Sequence, residues 1–168
     1  MRTHGSVYVS VVVALLVGYF SYQWWYNPRR AIKRQLGELA ATLSVPADSR
    51  GNIDRVARVA RLRNYFAPDV RIRTGPSRPE LTSRDALVGA VAAWNPPAGD
   101  WNVSFVDVQI SLDSDTTARA YMTVEITTPD PRTGQPAYDA REVRVEMAEQ
   151  EGAWVITTAE PVETLQRP

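Results

Sequence analysis

The feature that most constrains this chain is a long uncharged stretch near its amino terminus. No Asp, Glu, Lys or Arg occurs between Arg2 and Arg29, and residues 7–26 read VYVSVVVALLVGYFSYQWWY. A helix of this length spans about 30 Å, which matches the hydrocarbon thickness of a bilayer. The sequence therefore predicts a transmembrane helix. We divide the chain into a short tail and anchor, residues 1–28, and a folded domain, residues 29–168.

The residues around the end of this stretch indicate contact with a membrane surface. Aromatic residues are typical of the interface where a span leaves the lipid, and basic residues after it can bind anionic headgroups. The predicted interface residues are Trp24, Trp25, Tyr26, Arg29, Arg30, Lys33 and Arg34. A cleaved signal peptide is the alternative, but no small-residue cleavage site follows the apolar run. An uncleaved signal anchor in the inner membrane of a bacterium is favoured.

Two features of the sequence predict opposite orientations for this anchor. The positive-inside rule would put the basic flank, and with it the domain, in the cytoplasm. A six-residue tail before a first span usually stays inside, which would put the domain on the other side. We expect a single-pass protein with an extracytoplasmic domain.

Apolar spacing predicts three helices in the domain, over residues 29–44, 52–66 and 82–94. The second has one apolar side and one basic side, and we expect the apolar side to be buried. Its apolar members are Ile53, Val56, Ala57, Val59, Ala60 and Tyr65 or Phe66, and its basic members are Arg55, Arg58 and Arg61.

Alternating residues predict a short strand and then four long strands. Their ranges are 69–74, 101–112, 117–128, 138–149 and 153–162. In the first long strand, Val106, Val108, Ile110 and Leu112 fall on one face. An antiparallel sheet with one dry face needs helices to cover it. The expected class is α+β, with about three helices packed on a curved antiparallel sheet.

This order of elements resembles the cystatin-like cone of the nuclear-transport-factor-2-like superfamily, including SnoaL-like domains. The resemblance covers about residues 29–165 and is clearest in LRNYFAPDVRIRTG (62–75), TSRDALVGAVAAW (82–94) and EGAWVITTAEPVE (151–163). An anchor before such a cone also resembles the inner-membrane scaffold component of type IV secretion systems.

Composition limits the chemistry available to the domain. There is no Cys, and the single His, His4, precedes the anchor, so thiol and imidazole catalysis are excluded from the domain. Enzymes of the superfamily that this chain resembles, such as ketosteroid isomerases, use an Asp or His base and Tyr donors inside the cone. The candidates here are Asp69 and Asp107, with Tyr65 as a donor. Asp69 follows Pro68 at a strand start, which is typical of a cap. Asp107 should face water unless a β-bulge reverses the register.

A binding pocket is the other possibility for the cone. Its candidate lining residues, which core packing would equally explain, are Tyr65, Phe66, Trp94, Met122, Val145 and Trp154. The sequence shows no metal-ligand cluster, no phosphate-binding loop and no aromatic–basic platform, so we expect no metal, no cofactor and no nucleic acid.

Charge is distributed unevenly although the formal net charge is zero. Residues 29–84 contain 13 basic and 5 acidic residues, whereas residues 85–168 contain 5 basic and 14 acidic residues. This predicts an electrical dipole with its basic pole near the membrane and an acidic surface that could face a partner.

Three hypotheses follow from these features. The first is a membrane-anchored, non-enzymatic protein whose cone binds a protein partner or a small apolar ligand. The second is a membrane-tethered isomerase or dehydratase that uses a cavity Asp and a Tyr. The third is a secretion-apparatus scaffold that forms homo-oligomers.

Overall fold

The structure is a computed structural model that describes residues 12–15, 17, 27–48, 51–75, 79–94, 99–130 and 132–162. Residues 12–15 and 17 are helical, with exposed side chains. Within these described ranges, no helix is both long and apolar enough to cross a membrane. The rest of the predicted span, including Trp24, Trp25 and Tyr26, lies outside the described residues.

Three helices form the domain, as predicted. They are α1 (Pro28–Leu43), α2 (Asn52–Leu62) and α3 (Arg84–Ala93), and a 3-10 turn (Arg63–Tyr65) follows α2. Two of them begin at side-chain caps, which satisfy backbone N–H groups that the first turn leaves without a partner. Asn27 Oδ1 accepts from the Arg29 amide at 3.1 Å, and Ser83 Oγ accepts from the Ala86 amide at 3.2 Å.

Five strands form one sheet against these helices. They are β1 (Phe66–Ile72), β2 (Asn102–Leu112), β3 (Thr117–Pro129), β4 (Pro136–Gln150) and β5 (Ala153–Pro161). Their order across the sheet is β1-β5-β4-β3-β2. The four long strands pair antiparallel, as predicted. β1 runs parallel to β5, so the expected antiparallel sheet has one parallel pair at its edge. The α+β cone itself is confirmed.

The boundary between α2 and β1 differs from the prediction. The helix was expected to reach residue 66 and the strand to begin at residue 69, but α2 ends at Leu62 and β1 begins at Phe66. Pro68 therefore lies inside a strand. This is tolerated because β1 is the edge strand, where a missing backbone donor can face away from the partner strand.

The core lies between α1 and the inward face of the sheet. Ile32, Leu36 and Leu39, which recur at helical spacing, are at most 3% exposed. They belong to one cluster with the inward side chains of the central strands, which are Ala118, Ala120, Met122, Val145 and Met147. The buried faces of α1, β3 and β4 thus follow the apolar spacing of their sequences.

A β-bulge in β2 changes which face its side chains occupy. Val106 pairs with Thr123 but Gln109 pairs with Tyr121, so β2 has one extra residue here, and Asp107 has φ +53°. The prediction that Val106 and Val108 continue the inward face of Ile110 and Leu112 is therefore wrong for Val106, which pairs with outward-facing Thr123. Val103 and Phe105 take its place, since they pair with inward-facing residues of β3, Ile126 and Val124. Bulges bend a strand, and this one contributes to the curvature of the cone.

Candidate functional site

A largely apolar cavity of about 470 Å³ lies between the helices and the β2–β3 end of the sheet. Its volume falls within the range of about 300–1,000 Å³ that is common for small-molecule sites. Its lining residues are Thr42, Leu43, Val45, Arg55, Arg58, Val59, Leu62, Leu81, Leu87, Ala90, Val91, Trp94, Trp101, Val103, Val124 and Ile126. All are apolar except Thr42, Arg55 and Arg58.

Burial distinguishes the floor of the cavity from its mouth. Val45, Leu62 and Val103 are buried and form the floor. Arg55, Ala90 and Trp94 are the exposed lining residues, so they mark the mouth. Arg58 is half-buried and lies between these two levels.

Backbone contacts hold the end of α1 against the start of β2 and so fix one wall. The Val45 amide donates to the Trp101 carbonyl at 2.7 Å, and the Trp101 amide donates to the Val45 carbonyl at 2.9 Å. Trp101 in turn meets Trp94 at the end of α3, with ring centroids 4.6 Å apart and an edge-to-face angle of 69°. Such aromatic pairs add about 0.5–1.5 kcal/mol beyond their area burial. The pair joins the sheet wall of the cavity to its α3 wall.

The helix α2 faces the domain with the side opposite to the one predicted. Arg55, Arg58, Val59 and Leu62 follow the i, i+3, i+4, i+7 pattern of one helix face, and all four line the cavity. Ile53 and Val56, predicted to be buried, are 85% and 67% exposed. Ala60 is also exposed. Of the predicted apolar side, only Val59 reaches the cavity.

Leu62 explains this rotation. Its side chain is 1% exposed, and Tyr65 and Phe66, which follow it, are also buried in the core. Once Leu62 points inward, the residues three, four and seven positions before it must point inward as well. Full burial of an Ile or Val side chain is worth about 1.5–3 kcal/mol, so this orientation forgoes that stabilisation at two positions.

The aromatic and apolar residues predicted to line a pocket divide into two groups. Trp94 lines the cavity, but the other five belong to the hydrophobic core, each 9% exposed or less. Those five are Tyr65, Phe66, Met122, Val145 and Trp154. Met122 also borders the separate polar groove described below.

The Tyr65 hydroxyl lies in a buried hydrogen-bond chain rather than at the cavity surface. Thr42 Oγ1 donates to the Glu38 carbonyl at 2.8 Å and lies 3.3 Å from Tyr65 Oη. Since the Thr42 hydroxyl has one hydrogen, which the Glu38 carbonyl accepts, Tyr65 is the donor in the second contact. Tyr65 thus anchors the α2–β1 junction to α1.

The two candidate acids lie outside the cavity. Asp69 is exposed on the edge strand β1. Asp107 is exposed at the β2 bulge, which agrees with the expectation that it faces water. The bulge reverses the strand face at this point. Asp107 borders an open polar groove with Lys33, Gln109, Tyr121, Thr123 and Glu142. The structure does not bring Asp69, Asp107 and Tyr65 together at one site.

The basic residues after the predicted anchor lie on the exposed side of α1. Arg29, Arg30, Lys33 and Arg34 are all exposed, on the first two turns of the helix. Three of them, Arg29, Arg30 and Lys33, border a shallow groove with Val108 and Ile110 of β2. This groove is distinct from the apolar cavity, which adjoins the other end of α1.

Asp113, in the β2–β3 turn, has a structural role. Arg119 binds Asp113 through two nitrogens, at 2.6 and 2.9 Å, and this hydrogen-bonded guanidinium lowers the pKa of the Asp113 carboxyl. Neither residue lines the cavity. Within the described ranges, no group of three or more His, Cys, Asp or Glu side chains could hold a metal ion.

Comparison with known proteins identifies the fold. A family model for the SnoaL-like domain matches residues 52–160. No curated protein sequence matches the chain.

Solved structures are similar in fold at low sequence identity. A protein from Catenulispora acidiphila in complex with S-DNPA has a TM-score of 0.61 and 15% identity, covering 79% of this chain and 90% of that one. A candidate scytalone dehydratase from Novosphingobium aromaticivorans has a TM-score of 0.61 and 15% identity, covering 80% and 82%. The CamKII hub homology domain of Chlamydamonas reinhardtii has a TM-score of 0.56 and 13% identity, covering 80% and 97%.

The orientation of α2 yields a direct stability prediction. Leu62→Ala removes a fully buried side chain and should lower the free energy of unfolding by about 2–5 kcal/mol. Val56 is exposed, and Val and Ser have similar helix propensities. Val56→Ser should therefore change the free energy of unfolding by no more than about 0.5 kcal/mol. Chemical denaturation followed by tryptophan fluorescence measures both. A loss for Val56→Ser as large as that for Leu62→Ala would show that α2 packs through its other side.

Proposed function

The chain belongs to the SnoaL-like domain family, and we propose that it is a membrane-tethered, non-enzymatic binding protein whose cone holds a small apolar ligand. The observation that carries this proposal is the cavity of about 470 Å³, with its apolar floor and a mouth beside Trp94. Apolar walls with a few polar groups are the usual composition of small-molecule sites. A fold relative in complex with S-DNPA is in keeping with a ligand-binding role.

The non-enzymatic part of the proposal is supported by the side chains at the cavity. The lining residues that the structure describes include no Asp, Glu or His. A general base must lie within hydrogen-bond reach of the proton that it removes. An isomerase or dehydratase would need Asp69 or Asp107 for that role, and neither borders the cavity.

The membrane part of the proposal is supported by the sequence of residues 7–26 and by the basic residues at the start of α1. We place the protein in the bacterial inner membrane as a single-pass protein with its domain outside the cytoplasm. The lipid bilayer is then a constant partner of the basic residues that follow the span.

Probe binding tests the cavity. N-phenyl-1-naphthylamine, a neutral apolar fluorophore, should bind the full chain with increased emission. Ala90→Trp places an indole at the mouth and should weaken binding at least about tenfold, since it fills the volume that the probe needs. Ala92→Trp is the matched control, because Ala92 is exposed on the same helix and does not line the cavity. Equal binding by both Trp variants would place the probe elsewhere and refute the ligand site.

Two further variants test whether the candidate acids contribute to probe binding. Asp69→Asn and Asp107→Asn should bind the probe as the unmodified chain does, because neither side chain borders the cavity.

Fusion reporters test the membrane topology. Alkaline phosphatase fused after Pro168 should be active in a bacterial host, and green fluorescent protein fused at the same point should not fluoresce. This result is expected because phosphatase folds only outside the cytoplasm. The reverse pattern would place the domain in the cytoplasm, as the positive-inside rule indicates.

A scaffold role through a second copy of the chain is the second candidate, favoured by the exposed apolar side of α2. Ile53, Val56 and Ala60 form an apolar patch with no covering element among the described residues. In that case the full chain in detergent should sediment as an oligomer, and Val56→Ser should shift it toward the monomer. Sedimentation of the unmodified chain as a monomer would remove this candidate.

A further inference from the structure

We propose that the open edge of β2, residues 108–112, binds an extended acidic segment of a partner protein as an additional antiparallel strand. This surface is separate from the cavity. It lies beside the start of α1, whereas the cavity adjoins the carboxyl end of that helix.

Hydrogen bonds show which backbone groups of β2 point away from the sheet. The Asp113 amide donates to the Thr117 carbonyl at 3.0 Å, so the backbone of residue 113 faces β3. Residues that face the neighbouring strand alternate along an antiparallel pair. Ile110 and Leu112 therefore direct their N–H and C=O groups away from β3. No group in the described ranges forms a hydrogen bond with them on that side.

The beginning of the same edge, in contrast, is covered by the end of α1 and the residue after it. Trp101 exchanges two backbone hydrogen bonds with Val45, at 2.7 and 2.9 Å. The Val103 amide donates to Ser44 Oγ at 3.0 Å. This cover ends before the bulge at Asp107, and the open edge begins directly after it.

The open edge lacks the side chains that usually prevent strand addition. Charged residues and prolines are common on edge strands because they block pairing with another chain. The other edge strand, β1, contains Pro68, Asp69 and Arg71. Residues 108–112 read VQISL, without a charge or a proline. Of the two edges of this sheet, the β2 edge is thus the one suited to bind a further strand.

Cations flank the open edge on its inward side. Arg29, Arg30 and Lys33 of α1 border a shallow groove together with Val108 and Ile110. A strand added to β2 would lie along this groove. Its side chains on the inward side would therefore meet the positively charged start of α1.

Strand geometry specifies where the partner should carry its acidic residues. In an antiparallel pair, a residue opposite Ile110 has its side chain on the same face as Ile110. That face is the inward one, because Ile110 pairs with inward-facing Ala120. Side chains alternate between the two faces of a strand. Carboxylates at every second position of the partner segment would therefore match the cations of α1.

The backbone groups of the open edge favour a peptide over a membrane as the occupant. Anionic headgroups could meet the cations of α1, but they would not form a ladder with Ile110 and Leu112. In strand addition, main-chain hydrogen bonds provide affinity and alternate side chains provide specificity. Both elements are present here.

A synthetic peptide tests the proposal on the full chain in an uncharged detergent. The peptide alternates Thr and Glu, has blocked termini and is about seven residues long, enough to span the open edge. It carries an uncharged fluorophore, and fluorescence anisotropy measures its binding. It should bind at least about tenfold more tightly than the peptide with Gln in place of Glu.

Backbone methylation separates strand addition from simple charge attraction. Methyl groups on the Glu amides remove the donors that would face β2 and should weaken binding at least about tenfold. Methyl groups on the Thr amides are the matched control, because these amides would point away from β2. That peptide should retain most of the affinity.

A pair of variants locates the binding surface. Lys33→Gln should weaken binding of the alternating peptide about threefold, the scale of one exposed charge pair. Arg71→Gln is the control, because it makes the same change of net charge at an exposed position on the opposite edge of the sheet. It should leave the affinity unchanged.

Three results would overturn the proposal. The first is absence of binding by the alternating peptide. The second is equal affinity of the two methylated peptides, since charge attraction alone, as for anionic lipid headgroups, would then explain binding. The third is equal weakening by Lys33→Gln and Arg71→Gln, which would place the peptide elsewhere. None of these results bears on the cavity, which the apolar fluorophore tests separately.

Discussion

The packing of α1 against the inward face of the sheet is the interaction on which the rest of the domain depends. Ile32 and Leu36 share one buried cluster with the small side chains of β3, Ala118 and Ala120, and α1 packs mainly against β2. Burial of each large side chain is worth about 1.5–3 kcal/mol. Without this layer, the dry face of a long antiparallel sheet would be open to water.

The cavity lies beside the carboxyl end of α1, which is held at the start of β2. Its sheet wall is Val103 of β2 with Val124 and Ile126 of β3, beyond the tightly packed core. α2 and α3 close over this part, but among their described side chains they contribute few buried ones: Leu62 from α2 and Val88 from α3. The tightly packed core near Ala120 and the cavity near Ile126 thus lie along one continuous inward face of β3.

Much of the fold could be predicted from the sequence, because its signals are local. The spacing of Ile32, Leu36 and Leu39 defines the buried side of α1, and alternation along β3 separates its two faces. The change of register at the Asp107 bulge could not be predicted from the apolar pattern of β2. One extra residue leaves that pattern intact along the sequence but reverses the face of Val106. The predicted start of β1 was wrong at Pro68, because a proline is tolerated inside a strand only where that strand lies at an edge.

The candidate site was less predictable, because it depends on how elements meet. Periodicity identified the two sides of α2 but not which of them faces the domain, and Leu62 decided that through a contact distant in sequence. The pattern 55, 58, 59, 62 was present in the sequence and would have indicated the cavity face if Leu62 had been taken as the fixed point. Aromatic residues were also ambiguous: Trp94 and Trp154 have similar apolar neighbours in sequence, yet one lines the cavity and the other lies in the core.

The weak attachment of α2 has a consequence for how the domain opens. Among α2 side chains that the structure describes, over residues 53–62, Leu62 alone is buried, so lifting this helix exposes far less apolar surface than separating any central strand. Local opening of a protein occurs where such attachment is weakest, at free energies well below that of global unfolding. Exchange of the cavity contents with solvent can therefore proceed through fluctuation of one helix, while α1 and the sheet keep their packing. The lifetime of a bound molecule would then be set by the motion of α2 rather than by the stability of the whole domain.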